Sequence, residues 1–159
     1  MKKIIIIFFM SMLFLSGTGL RAQTRDKEIQ FYTGAGAGLR TPVRFDFDMA
    51  GEYFLNDRWS IGLDLDVFVR GKTSFDAIPF GRYHFDLPKW PRFLPYIGGG
   101  MGALANSSNV WLDVMLPEGG FLYELNPHLY IGPNVSFHIL GGPSTTWDLQ
   151  MLGQLAYRF

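Results

Sequence analysis

The chain has 159 residues, with 14 Lys and Arg against 14 Asp and Glu, and no cysteine. That length suits one domain, and the balanced charge is not the basic surplus of a nucleic-acid binder. The missing thiols exclude disulfides, thiolate metal centres and a lipid-modified cysteine anchor.

The amino terminus reads as an export signal. Met1-Lys2-Lys3 is basic, Ile4 to Leu15 is a nearly unbroken apolar stretch, and Ser16 to Ala22 is small and polar. This order marks residues 1–22 as a signal peptide, with cleavage expected after Ala22. The apolar stretch is shorter than the ~20 residues of a spanning helix. Without Lys2, Lys3 and Arg21, 11 basic and 14 acidic residues remain. Residues 23–28 form a brief polar periplasmic lead-in. Further on, Phe93 to Ala105 is the longest apolar candidate, but Pro95 and Gly98-Gly99-Gly100 disfavour a helix there.

Eight segments follow, most alternating with the period of two that puts successive side chains on opposite faces of a strand. Ile29 to Arg40 sets Ile29, Phe31, Ala35, Ala37 and Leu39 against Gln30, Tyr32, three glycines and Arg40. Val43 to Leu55 sets Val43, Phe45, Phe47, Met49, Tyr53 and Leu55 against Arg44, Asp46, Asp48 and Glu52. Trp59 to Val69 sets Trp59, Ile61, Leu63, Leu65, Val67 and Val69 against Ser60, Gly62, Asp64 and Asp66. Ser74 to Phe85 is less regular because of Pro79, and Phe93 to Leu104 is so rich in glycine that its faces stay ambiguous. In Val110 to Leu125, Asp113 and Glu124 cannot share a face on an unbroken period of two, which predicts a bulge near Pro117-Glu118-Gly119-Gly120. Leu129 to Leu140 alternates cleanly. So does the last segment, where Trp147, Leu149, Met151, Leu155, Tyr157 and Phe159 oppose Asp148, Gln150, Gln154 and Arg158.

Turn residues join the segments. Asn56-Asp57-Arg58 and Asn126-Pro127-His128 are tight turns, and Asp86 to Arg92 is a longer one. The opposite connections, Thr41-Pro42, Gly71-Lys72-Thr73, Ala105 to Asn109 and Gly141 to Thr146, are all short. Trp and Tyr flank an apolar band while the other face carries charge. That is the polarity of a strand meeting lipid outside and a hydrated lumen inside. In hydrocarbon every backbone N–H and C=O must be paired within the protein, so such a sheet must close on itself. The expected fold is all-β: an eight-stranded antiparallel up-and-down transmembrane barrel over residues 29–159.

These residues resemble the small outer-membrane β-barrel family of the OmpA/OmpX type, in a version common in Bacteroides-like bacteria. The carriers are Gly51-Glu52-Tyr53-Phe54-Leu55-Asn56-Asp57-Arg58-Trp59-Ser60-Ile61-Gly62, Pro95-Tyr96-Ile97-Gly98-Gly99-Gly100-Met101-Gly102, and Gly153 to Phe159. The resemblance implies a place in the outer membrane of a Gram-negative bacterium. Tyr157 and Phe159 look like the assembly signal read by the barrel-insertion machinery, with periplasmic chaperones as further partners. Gly153 stands about one place from that signal's usual glycine. The family is diverse in function, so membership implies fold and location and not activity.

Chemistry is weighed on the inward series. Arg44, Asp46, Asp48, Glu52, Asp64, Asp66, Arg82 and Arg158 are read as a lumen charge network. The four aspartates could form a cation or general-base site. The favoured reading pairs them with Arg44, Arg70, Arg82 and Arg158, because an eight-stranded interior is just wide enough for side chains to fill. Ser136 and His138 share a face but point inward, whereas a lipid hydrolase needs its nucleophile at the rim. His84 and His138 are read as hydrogen-bonded fillers rather than metal ligands. Gly34, Gly36 and Gly38 lack the strand-to-helix context of a dinucleotide loop. Trp90, with Lys89 and Arg92, reads as an interfacial anchor. The expected protein is a structural or interaction barrel contacting outer-membrane lipids, with no cofactor, metal, nucleic-acid partner or enzymatic activity. A small-solute or ion pore is the first alternative, a lipid-modifying enzyme the second, and a soluble lipocalin-like barrel the third.

Overall fold

A computed structural model describes residues 27–39, 43–70, 72–106, 109–142 and 145–159, without the side chains of Arg70 and Lys72. The signal-peptide assignment to residues 1–22 lies outside the described residues. Eight strands follow in order: β1 (Ile29–Gly38), β2 (Arg44–Phe54), β3 (Trp59–Arg70), β4 (Lys72–His84), β5 (Phe93–Asn106), β6 (Val110–Asn126), β7 (Leu129–Gly141) and β8 (Thr146–Arg158). Each pairs antiparallel with its neighbour, and β8 returns to β1, closing the barrel. The closing seam runs from Gln30 opposite Arg158 to Gly38 opposite Gln150.

Local sequence explains the connections. In the β2–β3 turn the Asn56 side-chain oxygen accepts from the backbone N–H of Arg58 and of Trp59, each at 2.9 Å. Asn126 repeats this in the β6–β7 turn, accepting from His128 and Leu129 at 2.9 Å. An asparagine side chain thus mimics a backbone turn at both tight reversals.

The alternation appears as exposure. Phe45 is 71% exposed, Phe75 59% and Trp147 59%, whereas Asp46, Arg82 and Asp148 are each 0% exposed. Apolar side chains face outward and charged ones inward, the reverse of a soluble barrel. The interior is nevertheless not uniformly polar: Tyr32, Ile78, Phe80, Leu94, Leu122 and Tyr130 belong to a buried cluster within it. A narrow lumen must be packed, and apolar side chains fill space without needing hydrogen-bond partners.

Two irregular segments resolve. In β4 the alternation continues through Pro79, which is exposed between buried Ile78 and Phe80. Proline lacks an N–H, and the β4–β5 pairing skips Ile78 and Pro79. In β5 Leu94, Tyr96 and Leu104 are buried, so the even positions face in. The bulge expected in β6 lies between Met115 and Glu118, where both neighbouring ladders shift register. It moves the inward positions from Asp113 and Met115 to Glu118 and Leu122.

Close approach makes one glycine indispensable. A Cβ on Gly36 would lie 1.9 Å from the Met151 carbonyl oxygen, across the closing seam. Gly36→Ala is expected to force β1 from β8 and cost about 1–3 kcal/mol, read as a lower urea midpoint of the refolded barrel.

Aromatic rings girdle the end that carries the three turns. Trp59 meets Tyr83 at 5.0 Å between centroids, and Tyr83 meets Phe85 at 5.0 Å. Phe93 stacks on Phe121 at 4.4 Å, and Tyr157 meets Phe159 at 4.9 Å. The stack of Phe137 on Trp147, at 5.9 Å, marks the opposite rim. Amphipathic rings in two belts flanking an apolar band match the two interfaces of a bilayer.

Candidate functional site

The inward side chains order themselves along β2, whose residues Phe54, Glu52, Asp48 and Arg44 descend from the turn end to the loop end. Arg158 sits at the turn end. Its Nε donates to Gln30 Oε1 at 2.8 Å and lies 3.5 Å from Glu28 Oε2. Its Nη1 donates to the Tyr130 hydroxyl at 3.0 Å. The guanidinium also lies 5.1 Å from the Phe54 ring centroid.

Arg82 fills the next level. Its Nε donates to both Glu118 oxygens at 3.1 and 3.0 Å, Nη2 donates to Glu118 Oε1, and Nη1 donates to Glu52 at 3.4 Å. Its planar head lies 4.2 Å from the Phe80 ring centroid and 4.9 and 4.8 Å from those of Tyr32 and Tyr96. Glu52 also accepts from Tyr32 and Ser60 and meets His84 Nε2 at 2.8 Å. A cation held by two carboxylates and three aromatic faces closes this level with little freedom.

From there a polar chain crosses the lumen. Asn134 donates to Glu118 at 2.7 Å and to the Tyr96 hydroxyl at 2.9 Å. Tyr96 donates to Gln154 Oε1 at 2.9 Å, and Gln154 donates to Asp48 Oδ2 at 3.2 Å. At the loop end Arg44 pairs with Asp46 at 2.9 Å and Asp148 at 2.7 Å and lies 3.8 Å from the Phe68 ring centroid. Phe68, Leu104 and Leu140 form a buried apolar cluster with Trp111 against it.

The eight residues of the expected network all face the lumen and are buried, but they do not form one network. Arg44 takes Asp46, Arg82 takes Glu52, and Arg158 takes Gln30, Tyr130 and Glu28 at the turn end. Among the described residues, Asp48, Asp64 and Asp66 have no guanidinium within hydrogen-bonding range, so of the four aspartates Arg44, Arg82 and Arg158 pair only Asp46. The side chain of Arg70 lies outside the description. The geometric reason is level: Asp48 faces Asp66 across the β2–β3 ladder, one tier away from either arginine head. Tyr157 and Phe159 face outward in the turn-end girdle, Phe159 edge-on to Phe31 at 5.8 Å.

Sequence reasoning missed four participants. Glu118 is the main partner of Arg82, and its inward facing depends on the bulge. Asp148 pairs with Arg44, and simple alternation in β8 points to it. Asp76 and Asp113 are also buried, at 3% and 1% exposure. Asp76 sits opposite Asp66 in the β3–β4 ladder.

Ser136, His138 and Asp113 have the connectivity of a hydrolytic triad. Ser136 Oγ lies 2.9 Å from His138 Nε2, and His138 Nδ1 lies 3.1 Å from both Asp113 oxygens. Yet Ser136 is 1% exposed, and its hydroxyl also donates to Gln150 Oε1 at 2.9 Å. A triad serves catalysis only if the nucleophile can reach a carbonyl carbon, and no lipid reaches this depth between packed side chains. A fluorophosphonate probe is expected to leave the folded barrel unlabelled and to remain without effect on Ser136 by mass spectrometry.

No protein-family model matches the chain, and no curated protein does either. Solved structures match in fold. Neisserial surface protein A is 13% identical over 86% of this chain and 99% of that one, with a TM-score of 0.69. The N-terminal β-barrel domain of Pseudomonas aeruginosa OprF is 14% identical over 86% of this chain and all of that one, at 0.63. A de novo designed transmembrane β-barrel is 15% identical over 84% of this chain and 97% of that one, at 0.61. The chain therefore has the fold of small eight-stranded transmembrane barrels, natural and designed.

Proposed function

We propose that this chain is an outer-membrane protein of a Gram-negative bacterium whose barrel has a structural or interaction role and whose lumen is packing rather than a conduit. The observation that carries the reading is the polarity of the wall. Phe45, Phe75, Met101, Val110 and Trp147 are each more than half exposed. A continuous belt of such residues in water is an aggregation surface, while against lipid it costs nothing. The interior supports packing over conduction: Arg82 is wedged between Glu52 and Glu118 at one level, and Phe68, Leu104 and Leu140 occupy another. Outer-membrane lipids are the immediate partners, with Trp90 anchoring the longest turn at the interface. The outward rings of Tyr157 and Phe159 suit contact with the barrel-insertion machinery.

A narrow cation path is the second reading, favoured by one observation: nine buried carboxylates face three buried guanidiniums among the described residues. Single-channel recording of the refolded protein in a planar bilayer separates the two. The expected result is a silent bilayer from protein confirmed as folded barrel. A steady conductance that shifts on Asp64→Asn or Asp66→Asn overturns the packed-lumen reading.

A further inference from the structure

We infer that Asp48, Asp64 and Asp66 form a binding site for a hard divalent cation, Ca²⁺ above all, inside the barrel. One oxygen from each carboxylate lies within 4.8 Å of the others. The three residues are 2%, 5% and 2% exposed. Asp48 Oδ1, Asp64 Oδ1 and Asp66 Oδ2 are buried without a hydrogen bond.

The surroundings orient these oxygens rather than neutralise them. Gln154 donates to the other oxygen of Asp48 and Gln150 to the other oxygen of Asp66, each at 3.2 Å. Asp48 and Asp66 each have one oxygen held by an amide and the other without a hydrogen bond, an outer layer typical of ligating carboxylates, and Asp64 brings a carboxylate with no amide donor among the described residues. Gly34 leaves the space in which the Asp48 carboxylate sits; a Cβ there would lie 2.6 Å from Asp48 Oδ1. The guanidiniums of Arg44, Arg82 and Arg158 are engaged at other levels.

Three adjacent buried carboxylates repel one another, and burial strengthens the repulsion. All-oxygen donors select hard cations over the softer transition metals. Ca²⁺ takes carboxylate oxygens at about 2.3–2.6 Å in a flexible geometry, whereas Mg²⁺ at about 2.0–2.1 Å demands a near-ideal octahedron and keeps several waters. The neighbouring group of Asp76, Asp113 and His138 is less suited, because both imidazole nitrogens already meet Ser136 and Asp113. The inference deepens the reading of the lumen as packing: the ion is a structural part of the filling.

The test uses the full chain refolded in detergent after chelator treatment, with Ca²⁺, Mg²⁺ or EDTA present during folding. Two readings are taken: metal retained through gel filtration, measured by atomic emission, and the urea unfolding curve. One Ca²⁺ per chain should be retained. At free Ca²⁺ a hundred times its dissociation constant, the unfolding equilibrium should shift about a hundredfold relative to EDTA. Asp66→Asn should lose both effects while folding in EDTA as well as the parent, since a like charge has been removed. Asp64→Asn provides the same comparison if Asp66→Asn does not fold. Identical curves in Ca²⁺ and EDTA with no retained metal overturn the site, as does retention undiminished in both variants. Conductance in the planar bilayer would overturn the packed lumen without altering this readout, so the two ideas fail separately.

Discussion

Leu63→Arg should abolish assembly of the barrel in a membrane. Leu63 lies near the middle of β3, faces outward and is 47% exposed. An arginine there meets hydrocarbon, at about 2–4 kcal/mol for a charge at the bilayer midplane. Leu149→Arg in β8 provides an independent site, opposite Phe137 in the β7–β8 ladder. Stabilities of single domains are only about 5–15 kcal/mol, so either change takes a large share. The measurement is the heat-dependent mobility shift of the folded form on gels after refolding into lipid vesicles. Both variants should run as unfolded chain, while the parent shifts. Normal insertion of both would mean that the faces are reversed and that this one does not meet hydrocarbon.

The second large effect is expected at Arg82. Arg82→Met keeps most of the length and apolar stem but leaves Glu52 and Glu118 buried without their shared cation. Breaking a buried ion pair by removing one partner typically costs about 3–5 kcal/mol, because the remaining charge is uncompensated. The urea midpoint of Arg82→Met should fall accordingly. Adding Glu118→Gln should recover part of the loss: a neutral amide still accepts from Asn134 through its oxygen, and one bare charge disappears. A loss below about 1 kcal/mol, or no recovery in the double variant, would show that the ion pair is not what holds this level together. Phe80, Tyr32 and Tyr96 would then carry the packing by themselves.

The strands were legible because a barrel wall has two solvents. Lipid outside and a polar interior demand opposite side chains at successive positions, so β2, β3 and β8 announce themselves residue by residue. The turns were equally readable, since Asn56 and Asn126 use the same side-chain mimicry. The bulge in β6 could be inferred from one conflict of phase between Asp113 and Glu124. Its position decides the partner of Arg82, because only after the shift does Glu118 point inward. The faces of β5 were not legible: glycine has no side chain to report a face, and the pairing with β4 and β6 had to supply it.

Pairing inside the lumen was beyond the sequence for a different reason. Alternation states that a charge faces in, but not how high along the axis it stands or which strand lies across from it. Arg82 on β4 and Glu118 on β6 meet only because the strands are staggered around a closed wall. The same stagger sets Asp48, Asp64 and Asp66 at a level that no described arginine head reaches.

What the sequence determined by itself was the solvent of each face in the cleanly alternating strands, the number of strands and the places where the chain reverses, since each follows from local period and local turn chemistry. What only the tertiary structure decided was which inward groups share a level. Closure sets the register of every strand against the rest, and charges separated by 30 or more residues meet across the axis only once the last ladder, β8 on β1, has formed.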